Sequence, residues 1–339
     1  MLNRFDYVPD AMLHSTSIEL EKLLGRPTLF YLDGARKPPL FITVLQHGNE
    51  PTGFEAIQQI LRKYQSAKLP RAIWLFVANV SAAAAGMRKL DGQHDYNRAW
   101  PGTTDNTTAE AALMREVIDT VTAEPLFASV DLHNNTGSNP HYGCVNELEP
   151  GYLQLATLFA RTVVYFRQPV GVQSLAMSKH CPAVTLECGQ AGENAALVHA
   201  VEFLDACLHM HHLPDHQVSP HDITLLRTAA VAKMRAGVTF GFDGGNYEVQ
   251  FRPDLDKLNF GPLEAGETLA ALKGDAGMPV IVTDDDGADV SATLFDISGG
   301  TLKLKRTLTP SMATLDVGII KQDCLFYVME QMALPADVT

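Results

Sequence analysis

Apolar residues along this chain gather into short runs separated by longer segments of helical period. Leu40 to Gln46, Ala72 to Ala78, Leu126 to Leu132 and Ala183 to Leu186 read as buried strands. Between and after them, residues 53–65, 109–122, 151–162 and 194–210 carry apolar positions at helical spacing. Strands and helices alternating at this interval predict an α/β sheet covered on both faces. Pro51 suits the first turn of a helix, so the loop ending at Glu50 leads straight into helix 53–65.

Past about residue 213 the pattern changes. Leu213-Pro214-Asp215-His216 breaks the last helix. Short alternating runs follow: Ile223 to Arg227, Tyr247 to Phe251, Val280 to Thr283, Ser291 to Phe295 and Thr301 to Lys305. Turn-forming clusters divide them, among them Asp243-Gly244-Gly245-Asn246 and Ser298-Gly299-Gly300. The expected organisation is an α/β domain over residues 1–213 and a smaller, mostly β domain over 214–339. The small-residue tract Ser81 to Gly86 suits a tight loop or close packing, and Asp284-Asp285-Asp286-Gly287 suits a hairpin tip.

Composition narrows the function classes. Of the 339 residues 46% are hydrophobic and 19% charged, enough for a packed core and contrary to disorder. Acidic residues number 39 against 26 basic ones, a formal net charge of −13. A field of that sign repels nucleic acid and anionic membrane surfaces. Neither a signal peptide nor an apolar stretch of membrane-spanning length is read in the sequence. Five scattered cysteines without a C-x-x-C pair fit reduced thiols in the cytoplasm.

Three stretches carry the chemistry: His47-Gly48-Asn49-Glu50, Asp131-Leu132-His133, and Glu187 within Thr185-Leu186-Glu187-Cys188-Gly189. Each lies at the end of a predicted strand, where open α/β sheets place their ligands. Two imidazoles and a carboxylate make a three-ligand zinc site with one position left for water. A further carboxylate from a third strand end takes that water's proton. Either histidine alone reads equally as a hydrogen-bonded core residue. Asp131 shares a strand face with His133, where it either orients the ligand or is satisfied by backbone amides. The polar stretch Arg88 to Arg98 holds two arginines in an acidic protein, suited to a carbonyl oxygen and a substrate carboxylate, or to a solvated loop. His209, His211, His212, His216 and His221 read as solvated histidines more readily than as a second metal site.

The ordered set H-G-N-E, Asp95-x-Asn97-Arg98, Asp131-Leu132-His133-Asn134 and Thr185-Leu186-Glu187-x-Gly189 resembles the aspartoacylase and succinylglutamate desuccinylase family of the zinc carboxypeptidase clan. Leu258-Asn259-Phe260 and Leu263 to Ala270 resemble a segment of that family's C-terminal β domain. The resemblance implies a mixed β-sheet flanked by helices, with a smaller β domain after it. It implies one Zn²⁺ per chain on His47, Glu50 and His133, with Glu187 as general base and proton shuttle. It further implies Arg88 at the carbonyl oxygen, Asn97 and Arg98 at a substrate carboxylate, and Tyr327 as a C-terminal substrate contact. Gln173 to His180 holds no arginine where aspartoacylases use one; Lys179, His180 or Arg167 are the stand-ins.

The activity so implied is hydrolysis of the amide bond of a small, anionic N-acyl amino acid, by a cytoplasmic enzyme for which a homo-oligomer is compatible. Two rival readings stand beside it: a metallocarboxypeptidase acting on peptide C-termini, and a non-catalytic zinc-binding module. An ester or thioester hydrolase on the same scaffold is also consistent with the sequence.

Overall fold

A computed structural model describes residues 1–274 and 277–335. They form two compact units. The first comprises residues 1–134, 141–225 and the segment from Leu334; the second comprises 135–140 and 226–333.

The first unit is built on strands β1 (Asn3–Phe5), β2 (Thr28–Leu32), β3 (Leu40–Val44), β4 (Ile73–Val77), β5 (Ala128–Asn135), β6 (Tyr142–Val145), β7 (Thr162–Tyr165) and β8 (Ala183–Gln190). They lie in the order β1-β2-β4-β3-β5-β8-β6-β7. The sheet is mixed: β3 runs parallel to β4 and β5, whereas β2 is antiparallel to β4 and β6 to β8. Every residue of β3 and β5 is buried, which is why these strands read as continuous apolar runs rather than alternating ones. The helices are α1 (Leu20–Leu24), α2 (Thr52–Lys63), α3 (Val80–Ala84), α4 (Ala109–Val121), α5 (Pro150–Phe159), α6 (Gln173–Met177) and α7 (Asn194–His209). α2 packs along α7. Phe41, Phe76, Trp100, Met114 and Val117 belong to one core cluster of this unit.

Two close approaches fix the start of α2 and the loop before it. A Cβ on Gly53 would lie 2.6 Å from Leu132 Cβ, so the first turn of α2 rests directly on β5. A Cβ on Gly48 would lie 2.1 Å from Ala83 N, so α3 abuts the loop between β3 and α2. The Ser81 to Gly86 tract is small because that contact leaves no room; its helix is capped by Asn79, which accepts from Ala82 N.

The second unit contains β9 (Thr224–Met234), β10 (Phe240–Gly241), β11 (Val249–Phe251), β12 (Thr268–Leu272), β13 (Val280–Asp284), α8 (Ser291–Leu294), β14 (Phe295–Ser298), β15 (Thr301–Leu304), β16 (Thr309–Ser311), α9 (Val317–Gln322) and β17 (Phe326–Gln331). β9 pairs antiparallel with β13 and β17, and β16 with β17. A five-stranded sheet follows the order β10-β11-β12-β15-β14. Phe251, Phe295, Leu302 and Phe326 are buried in its core. Asn259 of the Leu258-Asn259-Phe260 motif clasps Ala313, donating to its oxygen at 2.8 Å and accepting from its nitrogen at 2.9 Å.

The run Ser291 to Phe295 is not a strand: Ser291–Leu294 is a helical turn, and the strand begins at Phe295. Asp289 Oδ1 accepts from both the backbone N and Oγ of Ser291, which turns the chain at that point. Asp284 Oδ1 accepts from the nitrogens of Asp286 and Ala288, closing the hairpin tip after β13. Among the described residues no helix is long and apolar enough to cross a membrane.

Gly48→Ala is expected to destabilise the protein by about 1–3 kcal/mol in urea, because the new methyl meets the backbone of α3 and cannot be relieved by a side-chain rotation. An unchanged denaturation midpoint would contradict the packing described.

Candidate metal centre and active site

β3 ends at Val44, and the next residue, Leu45, is fully buried at φ 59°. A branched side chain in the left-handed region costs about 1–3 kcal/mol, and the surrounding packing holds it there. That bend leads into Gln46 and His47. Glu50 follows three residues after His47, immediately before Pro51 and α2. His133 arrives from the far end of β5.

These three side chains meet. His47 Nδ1 is 2.8 Å from Glu50 Oε1, and His133 Nδ1 is 2.8 Å from Glu50 Oε2. One ligand atom from each of His47, Glu50 and His133 lies within 4.8 Å of the others, and all three residues are buried. Among the described residues no other group of three His, Cys, Asp or Glu is so placed. The histidine-rich stretch near residue 212 forms no such cluster; His209 and His211 instead meet Asp205 and Arg36.

The distal ring nitrogens are held as well. His133 Nε2 lies 2.8 Å from Asp131 Oδ2, and His47 Nε2 lies 3.2 Å from Asp95 Oδ1. Asp131 therefore takes the orienting role, and its neighbour Gln46 donates to the same Oδ2 at 2.6 Å. Asp95 also receives Asn97 N at 2.8 Å and Arg88 at 3.2 Å. Imidazoles whose outer nitrogens face carboxylates present their inner nitrogens as metal ligands. Two such nitrogens and a carboxylate at one buried point form a donor set that suits zinc.

Electrostatics follow from burial and neighbours. Burial opposes protonation of His133, but Asp131 and Glu50 outweigh it and hold the ring well above the ordinary histidine value. Burial and Arg88 likewise oppose protonation of His47, and Glu50 with Asp95 raises it. Burial would raise Glu50, yet the two imidazoles bring it below the usual carboxylate range. Asp95 behaves in the same way through His47 and Arg88. Glu187 goes the other way: burial pushes it up to about 7, although His133 and His47 pull it down. It is 8% exposed, and its Oε2 is buried without a hydrogen-bond partner. Glu187 lies on β8, the strand beside β5 in the sheet, and both histidines, Glu50 and Asp131 act on its carboxyl electrostatically.

Arg88 reaches within 3.9 Å of Glu50 as well as bonding Asp95, which brings it to the centre. Its backbone oxygen also accepts from Gly48 N at 3.2 Å, tying the arginine loop to the histidine loop. Asn97 and Arg98 lie half-buried in a short 3-10 turn, and Asn97 Oδ1 is buried without a partner. Arg71 serves the core: it is fully buried, bonds the carbonyls of Pro38 and Met210, and stacks 3.7 Å from the Phe127 ring. Arg167, Lys179 and His180 are exposed, while Gln173 points inward to Ser129 Oγ at 3.1 Å. Tyr327 belongs to the second unit, half-buried on β17 opposite Val231 and Ser311.

Asn134 braces the ligands from behind. Its Oδ1 accepts from Thr52 N at 3.2 Å, and its Nδ2 donates to Gly189 O at 3.0 Å, joining the start of α2 to the end of β8. Asn134→Ala leaves both backbone groups unpaired, and a loss of about 1–3 kcal/mol in urea denaturation of the metal-free protein is expected. Stability equal to wild type would mean that the brace carries no weight.

A family model for the succinylglutamate desuccinylase/aspartoacylase catalytic domain matches residues 37–209, the span that holds every ligand described. No curated protein matches the chain in sequence. Among solved structures, the chain resembles the succinylglutamate desuccinylase of Chromobacterium violaceum with a TM-score of 0.58 at 17% identity, over 89% of this chain and 87% of that one. The Vibrio parahaemolyticus desuccinylase gives 0.59 at 16%, over 90% and 86%. Murine aminoacylase 3 gives 0.52 at 17%, over 88% and 97%. At such identities the structures speak for the fold, a mixed sheet flanked by helices with a second, smaller sheet. The family model speaks for descent, and this chain belongs to the succinylglutamate desuccinylase/aspartoacylase family.

Proposed function

We propose that this protein is a zinc-dependent amidohydrolase that cleaves the amide bond of an N-acyl amino acid. The observation that carries the reading is the convergence of His47 Nδ1, His133 Nδ1 and Glu50, with the buried, unpartnered oxygen of Glu187 on β8, the strand next to that of His133. Family membership supports it, as do solved relatives named succinylglutamate desuccinylase and aminoacylase.

His47, Glu50 and His133 would hold the metal. Bound there, zinc would supply Lewis acidity and lower the pKa of a coordinated water. Glu187 takes a proton from the attacking water and returns it to the leaving nitrogen; burial raises its carboxyl to about 7, where it can both accept and give up a proton near neutral pH. Arg88, anchored by Asp95, offers its guanidinium to the carbonyl oxygen as negative charge develops there. Asn97 and Arg98 are assigned to a carboxylate of the substrate, with the buried Asn97 Oδ1 available to a donor.

The test is a panel of N-acetyl and N-succinyl amino acids and C-terminally varied dipeptides, with free amine as readout. Release from acyl amino acids is expected, and Glu187→Gln should lower kcat by about 10²–10⁴-fold while leaving bound zinc unchanged. Cleavage of dipeptides alone would move the protein to the peptidase reading. Loss of zinc in the Glu187 variant would make Glu187 a ligand and overturn the assignment.

A further inference from the structure

Behind His133 a single file of hydrogen bonds runs into the core. Trp100 Nε1 donates to Gln46 Oε1 at 2.6 Å. Gln46 Nε2 donates to Asp131 Oδ2 at 2.6 Å, and that oxygen lies 2.8 Å from His133 Nε2. Trp100, Gln46, Asp131 and His133 are all buried, with Trp100 and Asp131 fully so.

The direction of this file is set by its far end. An indole nitrogen can only donate, so it compels Gln46 to turn its oxygen toward Trp100. The amide NH₂ must then face Asp131, whose carboxylate can only accept. Asp131 in turn demands a proton on His133 Nε2, so Nδ1 is the nitrogen whose lone pair a bound metal would take. Nδ1 is the atom that faces Glu50. We propose that Trp100 and Gln46 are positioning residues that fix the tautomer of His133, so that the first unit's metal site is set by a tryptophan three hydrogen bonds away. The proposal rests on His133 being a zinc ligand.

Trp100 is well placed to act as a fixed reference. Its ring lies edge-on to Phe41 and Phe76, at centroid distances of 6.4 and 6.2 Å, and its backbone N bonds Gly171 O at 3.0 Å. The second ligand's support ends differently. His47 leans on Asp95, which is bonded by the half-buried Arg88 and by Asn97 N, polar groups of the same loop. The two arms therefore separate tasks: one ends in the core, the other in the loop assigned to substrate.

Trp100→Phe keeps the ring and removes the donor, and Gln46→Met keeps the length and removes the amide. Zinc affinity, measured by competition with a chromophoric chelator, is expected to fall about 10–100-fold in each. The double variant should fall no further than the worse single, because both act through one file. Unchanged affinity, or losses that simply add, would overturn the proposal. A second measurement needs no variant: ¹⁵N NMR of histidine-labelled, zinc-loaded wild type should show His133 protonated at Nε2 and shielded from exchange. A His133 ring bound to zinc through Nε2 would overturn it directly. Wild type that takes up no zinc would fail both this proposal and the ligand assignment beneath it, whereas normal zinc uptake with indifferent variants would fail the proposal alone.

Discussion

The Glu50 carboxylate holds the site together by meeting two imidazole nitrogens at once, each at 2.8 Å. Three pieces of chain must be brought to one point for this contact: the bend after β3, the entry to α2 and the end of β5. Burying these groups without partners would cost several kcal/mol each, so the contact constrains everything around it. The left-handed Leu45 turns the chain toward this point, and the bare Gly48 against α3 and Gly53 against β5 let neighbouring elements approach closer than a side chain would permit.

The same economy shows in charge. Glu50, Asp131, Glu187 and Asp95 gather around two histidines and Arg88. Glu50 and Asp95 are held ionised by the imidazoles and Arg88. Glu187 has no such partner at its buried oxygen, and its carboxyl rises to about 7. A divalent cation on the His47, Glu50 and His133 set would relieve this excess of buried acid. The family's catalytic-domain model covers these residues.

Much of this was legible in the sequence because the central strands are buried on both faces. Leu40–Val44, Ile73–Val77 and Ala128–Asn135 stand out as apolar runs, and the polar residues that end them had to be either ligands or loop formers. Shorter strands were not legible: Tyr142–Val145 and Thr162–Tyr165 are four residues each and carry too little periodicity to separate from loop. Ser291 to Phe295 alternates like a strand yet is turned by the Asp289 side chain, a local bond that hydropathy does not register. Asp131 was legible as support for His133, but the rest of that support was not. Asp95 appeared only as part of a motif, and Gln46 only as the last residue of an apolar run. An amide directly before His47, and one of two tryptophans close after Asn97-Arg98, are the signals that could have pointed to it.

Anomalous diffraction at the zinc edge from crystals of the zinc-loaded protein bears most directly on the whole account. A single strong peak is expected within about 2.0–2.2 Å of His47 Nδ1, His133 Nδ1 and a Glu50 oxygen, with Glu187 outside bonding distance of the metal. A peak bound through Nε2, a peak on Glu187, or no peak in this pocket would contradict it.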